Sequence, residues 1–510
     1  MRRGFINSRI WNSEVTAFLI DEGRFIKLGT NEEITKLTGA DELIDLNGMF
    51  VVPGFVDSHM HLAELGYYLS QIQLIGVKDR NEIKHKIEGY RHQDPEAEWI
   101  IGRGWDETLM ERPDRAFLDE ICPDLPAAFT RVDGHVMAVN TKALQEAGIE
   151  EDSEIEGGTI HYAEGILEEN AMTLIQDILP VPDEKRIRQY IETGAKLANS
   201  YGVTTVGSDD FVAVVRDYMP VLNVFEHMSY QEALTVRVNE QCEFPDLKTY
   251  AEFLDEGYTM DVGNDFFRIG PLKLIADGTL GSETAAVTKG YADHPGSQGI
   301  MTMHEDDISL FTELASNYNM GVIVHAIGDG AVDTVLKVFK QFVLEGNPLH
   351  SGLVHCQILR QDQIDEIKKM HLSCYVQSLF EEDDGRILRE RVGSERAETC
   401  YPFTTLMEGT LTSNGSDAPV CMPKAVHGIS LAVNGVQGIK ETMNVEQALQ
   451  SYTLKGAEQL FMSDVIGKIA EGYYADFAVL DQDITACDPK EIDRTKVMMT
   501  VMNGETVFEK

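Results

Sequence analysis

The stretch VVPGFVDSHMHL, from Val51 to Leu62, packs an apolar run, a Pro-Gly break and two histidines two residues apart into one short segment. A brief apolar run bounded by turn residues reads as a buried strand. Side chains at i and i+2 of a strand point to one face, so His59 and His61 can share a metal ion while Met60 points away. A bare His-x-His is a weak signal, and its weight depends on what the rest of the chain brings to the same place.

Seven more apolar runs ending in polar residues follow: VTTVGSDD, LTVRVNEQ, LKLIADG, GVIVHAIGD, LVHCQ, LSCYVQS and LTSNGSDAPV. Helical patterns alternate with them. In DEKRIRQYIETGAKLANSYGV, Ile187, Tyr190, Ile191, Ala195 and Ala198 form one apolar stripe. Strand and helix in alternation argue a parallel sheet. Eight such units with polar residues at the C-terminal strand ends predict an α/β fold, a (β/α)8 TIM-type barrel with its active site at that face.

The ends of the chain read differently. VTAFLI and FIKLG flank a DEGR turn, and VMMTVMNGETVFEK carries Asn-Gly between apolar runs, the strongest short hairpin signal. Neither end can form a stable sheet alone. Residues 1–52 and 464–510 are therefore predicted to pair into one small β-sandwich domain, leaving 53–463 as the barrel domain. Residues from about 65 to 180 exceed a single crossover connection and are read as an insertion after the first barrel strand.

Charge and composition exclude several classes. Against 85 Asp+Glu the chain has 43 Lys+Arg, a formal net charge of -42, which repels nucleic acid and anionic membrane surfaces. No apolar run of about 18 residues is present to cross a bilayer, and VTAFLI is too short for a signal-peptide core. Seven scattered cysteines without a C-x-x-C pair indicate neither a disulfide framework nor a cysteine zinc site, and a reducing cytoplasm is expected.

Three later residues strengthen the histidine pair, because His325, His355 and Asp417 each close a predicted strand of the same barrel. The 30 residues between the two later histidines equal about one β/α unit, which places them at adjacent strand ends. Lys273 lies in another such strand, on the same face as Asp277. Two readings follow: an amine whose pKa falls in the barrel interior, or a Lys273–Asp277 ion pair. In the insertion, Trp105, Asp133 and His135 are the candidate substrate contacts, with a packed core aromatic and a buried hydrogen-bonded pair as the alternatives. Asp329 is expected to cap the helix that follows it. Asp57 is given no metal role.

HMH after VPGFVDS, then KLIADG, HAIGDGA, VHCQ and SDAPV, occur in the order seen in the amidohydrolase superfamily. GRGWDE and TRVDGH resemble the branch called amidohydrolase family 3, which includes deformylases of N-substituted formamides. IAEGYYADFAVLD resembles the superfamily's return into its β domain, so the likeness spans nearly the whole chain. It implies that His59, His61 and Asp417 hold one divalent metal, His325 and His355 a second, and that Lys273, carbamylated, bridges them. Nitrogen and oxygen donors make zinc, one or two ions, the first expectation. The implied activity is hydrolysis of a non-peptide C–N bond, in an amide, an N-formyl or N-acyl amine or a cyclic amide, with Asp417 moving the proton. The implied partner is a small-molecule substrate, and the implied assembly a homodimer. A mononuclear deaminase of the same superfamily is the enzymatic alternative, disfavoured by Lys273 and by Ala-Ile-Gly-Asp following His325. A non-catalytic binding or regulatory scaffold is the other, disfavoured because all six ligand positions carry competent residues.

Overall fold

The structure, a computed structural model, describes residues 2–38, 42–132, 134–260 and 262–510. Contacts divide the chain into two compact units, Met1–Leu65 with Glu184–Lys510, and Gly66–Asp183.

In the first unit eight parallel strands stand in sequence order around a nearly closed barrel. They are β1 (Phe55–Met60), β2 (Val203–Ser208), β3 (Arg237–Cys242), β4 (Phe267–Ile275), β5 (Val322–Ala326), β6 (Gly352–His355), β7 (Ser373–Val376) and β8 (Thr412–Asn414). Every residue of β1, β2 and β3 is buried, as expected where a sheet is covered on both faces. The helix Glu184–Ser200 supplies part of that cover, burying Ile187, Ile191, Ala195 and Ala198 and leaving Tyr190 half-buried. The seam between β8 and β1 is joined just past the strands. Asp417 N–H donates to His59 O and His61 N–H to Ala418 O, both at 2.8 Å, and Ser416 N–H donates to Asp57 Oδ1 at 2.9 Å. Gly415 permits this approach, since a Cβ there would lie 2.6 Å from His59 N.

The opening stretch is two strands in different sheets. Phe50–Pro53 belongs to a five-stranded sheet, where it pairs antiparallel with Phe477–Leu480, so both chain termini meet in one sheet. Arg9–Ile10 pairs parallel to Phe50–Pro53 on its other side, and Val497–Met502 and Glu505–Glu509 complete the sheet as a hairpin turning at Asn503 and Gly504, both at positive φ, the backbone an Asn-Gly turn supplies. A four-stranded sheet holds Arg3–Ile6, Ala17–Asp21, Arg24–Gly29 and Glu42–Asp45. Phe5, Phe18 and Phe25 from it pack with Phe477, ring centroids 4.9 to 5.9 Å apart. Arg237, at the start of β3, is tied to this region by a buried bidentate pair with Asp476 at 2.6 and 3.1 Å.

The second unit carries a six-stranded sheet of its own, in the spatial order Ile72–Gln73, Ile100–Trp105, Ala127–Arg131, Val136–Val139, Ile166–Glu169 and Gly158–His161. One cluster around Trp105, Phe117 and Phe129 and another around Leu144, Leu167 and Ile175 fill its interior. Among the described residues no helix is long and apolar enough to cross a membrane.

Candidate metal centre

At the C-terminal ends of β1, β5 and β6 four histidines obey one rule: one ring nitrogen is bonded to a fixed acceptor, and the other faces the barrel mouth. His59 Nδ1–H donates to Gln241 Oε1 at 2.5 Å, and His61 Nδ1–H to Asp209 O at 2.6 Å. His325 Nε2–H donates to Gly278 O at 3.1 Å, and His355 Nδ1–H to Gln377 Oε1 at 2.8 Å. An acceptor on one nitrogen leaves the other to present its lone pair to a metal, in the case of His61 after loss of the proton it carries.

Those lone pairs converge. His59 Nε2 and His61 Nε2 each lie 3.3 Å from Asp417 Oδ1, and the three donor atoms fall within 4.8 Å of one another. His59 Nε2 is buried without a hydrogen-bond partner among the described residues. His325 Nδ1 and His355 Nε2 face each other at 2.9 Å, and the His59 and His355 ring centroids are 5.9 Å apart. Two lone pairs at such a distance repel unless a cation lies against both. The donor set therefore fits a divalent metal.

Electrostatics agree. Burial alone would raise the Asp417 carboxyl, but the polar contacts of His59 Nε2 and His61 Nε2 at 3.3 Å and the charges of His59 and His355 hold it well below the usual carboxylate range. Burial opposes charge on His61 as well, yet its bond to Asp417 and the charges of Asp209 and Asp417 lift it to about 10. Burial and the Lys273 charge push His325 down to about 4, and burial with the His325 charge pushes His355 well below its ordinary value. Asp417 has a positive φ of 57° just past β8, a backbone strain that turns the carboxylate into the mouth.

The amidohydrolase family's sequence profile matches residues 42–508. The chain belongs to the amidohydrolase family. YtcJ of Bacillus subtilis (strain 168), which carries an amidohydrolase name, is 30% identical over 99% of this chain and 98% of its own. N-substituted formamide deformylase of Arthrobacter pascens is 22% identical over 98% of this chain and 96% of its own. A metal-dependent hydrolase from Pyrococcus furiosus superposes with a TM-score of 0.81 at 28% identity, over 95% of this chain and all of that one.

The sixth predicted ligand stands apart. Lys273 in β4 donates to Asp209 Oδ2 at 3.1 Å, both residues almost wholly buried, so its anionic partner is Asp209 and not Asp277. Asp277 is instead occupied by the backbone N–H groups of Ala286, Ile327 and Gly328 at 2.7 to 3.0 Å. Alternation along β4 gave the wrong partner, because the strand ends at Ile275, before Asp277. Asp329 does not cap its helix either. It is the first helical residue, and its carboxylate accepts from Thr288 and from Arg360, the latter at 3.0 Å.

The substrate contacts predicted in the insertion are placed as follows. Trp105 is 1% exposed inside that unit's core and donates its indole N–H to Phe129 O, which assigns it to packing. His135 is exposed, with Nδ1 3.1 Å from Glu169 Oε2. Asp133 lies outside the described residues.

Sequence reasoning missed the supporting shell of the candidate site: Gln241, Gln377, Asp209 and Glu243. Glu243 hydrogen-bonds Asp209, and burial with the Asp209 charge lifts its carboxyl to about 7. The available signal was position, since VNEQCE, YVQS and VGSDD all run off C-terminal strand ends.

Proposed function

We propose that the protein is a zinc-dependent hydrolase of a non-peptide C–N bond in a small molecule: an amide, an N-formyl or N-acyl amine, or a cyclic amide. The observation that carries this reading is the convergence of the His59 and His61 nitrogens on Asp417, beside the facing pair His325 and His355. The resemblance to N-substituted formamide deformylase supports the bond class. His59, His61 and Asp417 would hold one ion and His325 with His355 a second. Lys273, once freed from Asp209 as the neutral amine, would add CO2 to form a carbamate with loss of a proton and would offer that carboxylate as a further ligand. A divalent ion held there lowers the pKa of water from 15.7 toward about 7 and polarises a carbonyl oxygen.

The chain's own residues do the rest. Asp417, ionised across the ordinary pH range, accepts the proton of the attacking water at a carboxylate oxygen. As the water oxygen bonds to the carbonyl carbon, Asp417 delivers that proton to the leaving nitrogen, so that the C–N bond breaks to a carboxylic acid and an amine. The ring nitrogens stay fixed throughout, since their N–H groups are bonded to Gln241, Asp209, Gly278 and Gln377.

The test measures metal content of the purified protein together with turnover of N-formyl amines, N-acyl amino acids, cyclic imides and esters. About one or more zinc per chain with hydrolysis of an amide-type compound is expected. Less than one metal per chain after supplementation, with no turnover, overturns the reading.

A further inference from the structure

The geometry points to Gln241 and Gln377 as positioning residues that decide which ring nitrogen of His59 and His355 faces the metal; this rests on the metal-centre reading above. A histidine can present either nitrogen, and the hydrogen bond made by one selects the other for the metal. For His61 and His325 the choice is made by backbone carbonyls. For His59 and His355 it is made by two side-chain amides, each almost wholly buried.

Each amide is itself oriented. Gln241 Nε2 donates to Ser58 O at 2.9 Å, which turns Oε1 to His59. Flipping it would set oxygen against the Ser58 carbonyl and N–H against the His59 N–H, two repulsive contacts at once. Gln377 Nε2 donates to Tyr375 O at 3.2 Å, which turns Oε1 to His355. The Phe380 ring stacks on that histidine, centroids 5.8 Å apart.

The Gln241 contact also explains a residue that takes no part in the chemistry. β3 and β1 are not neighbours, because β2 runs between them. Gln241 passes over β2 at Gly207, where a Cβ would lie 2.6 Å from its Nε2. The missing side chain is thus the passage by which strand three reaches a histidine on strand one.

The experiment uses the full-length chain as wild type, Gln241→Leu, Gln377→Leu and Gln241→Glu. It reads zinc affinity by chelator competition, histidine tautomers by long-range 1H–15N correlation on zinc-loaded protein with 15N-labelled histidine, and the melting temperature of the zinc-free form. Both leucine variants should bind zinc about 10- to 100-fold more weakly and show a second tautomer, whereas Gln241→Glu, whose buried carboxyl in its protonated form donates O–H to Ser58 O and still accepts the His59 N–H, should stay within about threefold of wild type. Wild-type affinity and tautomers in both leucine variants overturn the inference while leaving the metal reading intact. So does a Gln241→Glu loss as large as that of Gln241→Leu. Absence of zinc binding in the wild type overturns the metal reading itself.

Discussion

His325 Nδ1 and His355 Nε2 stand 2.9 Å apart, and each is the nitrogen left over after its ring has bonded to a fixed acceptor, Gly278 O or Gln377 Oε1. Together with His61, lifted to about 10 by Asp417 and Asp209 against its burial, they define what metal loading must displace. A raised pKa means that His61 carries a proton in the metal-free protein throughout pH 6 to 9. Zinc binding at about pH 8 should therefore release at least about one proton per chain, read by calorimetry in buffers of different ionisation enthalpy. At zinc about a thousandfold above Kd the folded state gains about 4 kcal/mol, seen as a higher melting temperature. Zinc uptake without proton release would contradict the arrangement around His61.

Asp417→Asn keeps the size of the side chain and removes its basicity. Turnover should fall by about 100- to 10,000-fold, the range for loss of a positioned proton carrier, while much of the metal remains bound through the histidines. Steady-state kinetics and metal analysis of one preparation check this. Undiminished kcat with full metal would remove Asp417 from proton transfer.

Asp209→Asn leaves the Lys273 ammonium buried without its anion. Removing one partner of a buried pair costs about 3–5 kcal/mol, because the remaining charge stays desolvated. Urea unfolding of the zinc-free protein should show a loss of that size, and Asp209→Asn combined with Lys273→Met should recover most of it. A single-variant loss under about 1 kcal/mol would mean that Lys273 finds another partner.

The barrel was legible because parallel strands buried on both faces leave continuous apolar runs, and because polar residues gather where those runs end. The shell that aims the histidines was not. Gln241 meets His59 only through the stagger of β3 against β1 and the gap at Gly207, a three-strand relationship that no local pattern encodes. Lys273 and Asp209 are 64 positions apart, and alternation along β4 could speak only for neighbours such as Asp277. Asp329 looked like a cap since it precedes a helix; its partners Thr288 and Arg360 arrive from other segments. The insertion's sheet escaped because strands such as Ile72–Gln73 and Gly158–His161 are too short to show a period.

Glu381 gives the pH dependence that separates fold from catalysis. It opens the helix Glu381–Val392, where a helix N-terminus favours an anion, yet its Oε2 is buried without a hydrogen-bond partner among the described residues. Burial outweighs the dipole and, with the Glu441 charge, lifts the carboxyl to about 8. In the unfolded chain the same group titrates near about 4.3. A folded value above the unfolded one means that the contribution to stability is whole below about pH 4 and is lost as pH rises through about 8. Glu381→Gln keeps the shape and cannot ionise. Unfolding of the zinc-free protein at pH 5, 7 and 9 should therefore show wild type losing ground to the variant with rising pH, by an amount on the order of a few kcal/mol across that window. Parallel profiles for the two proteins would mean that Glu381 is ionised in the native state and paired, contrary to its buried, unbonded oxygen.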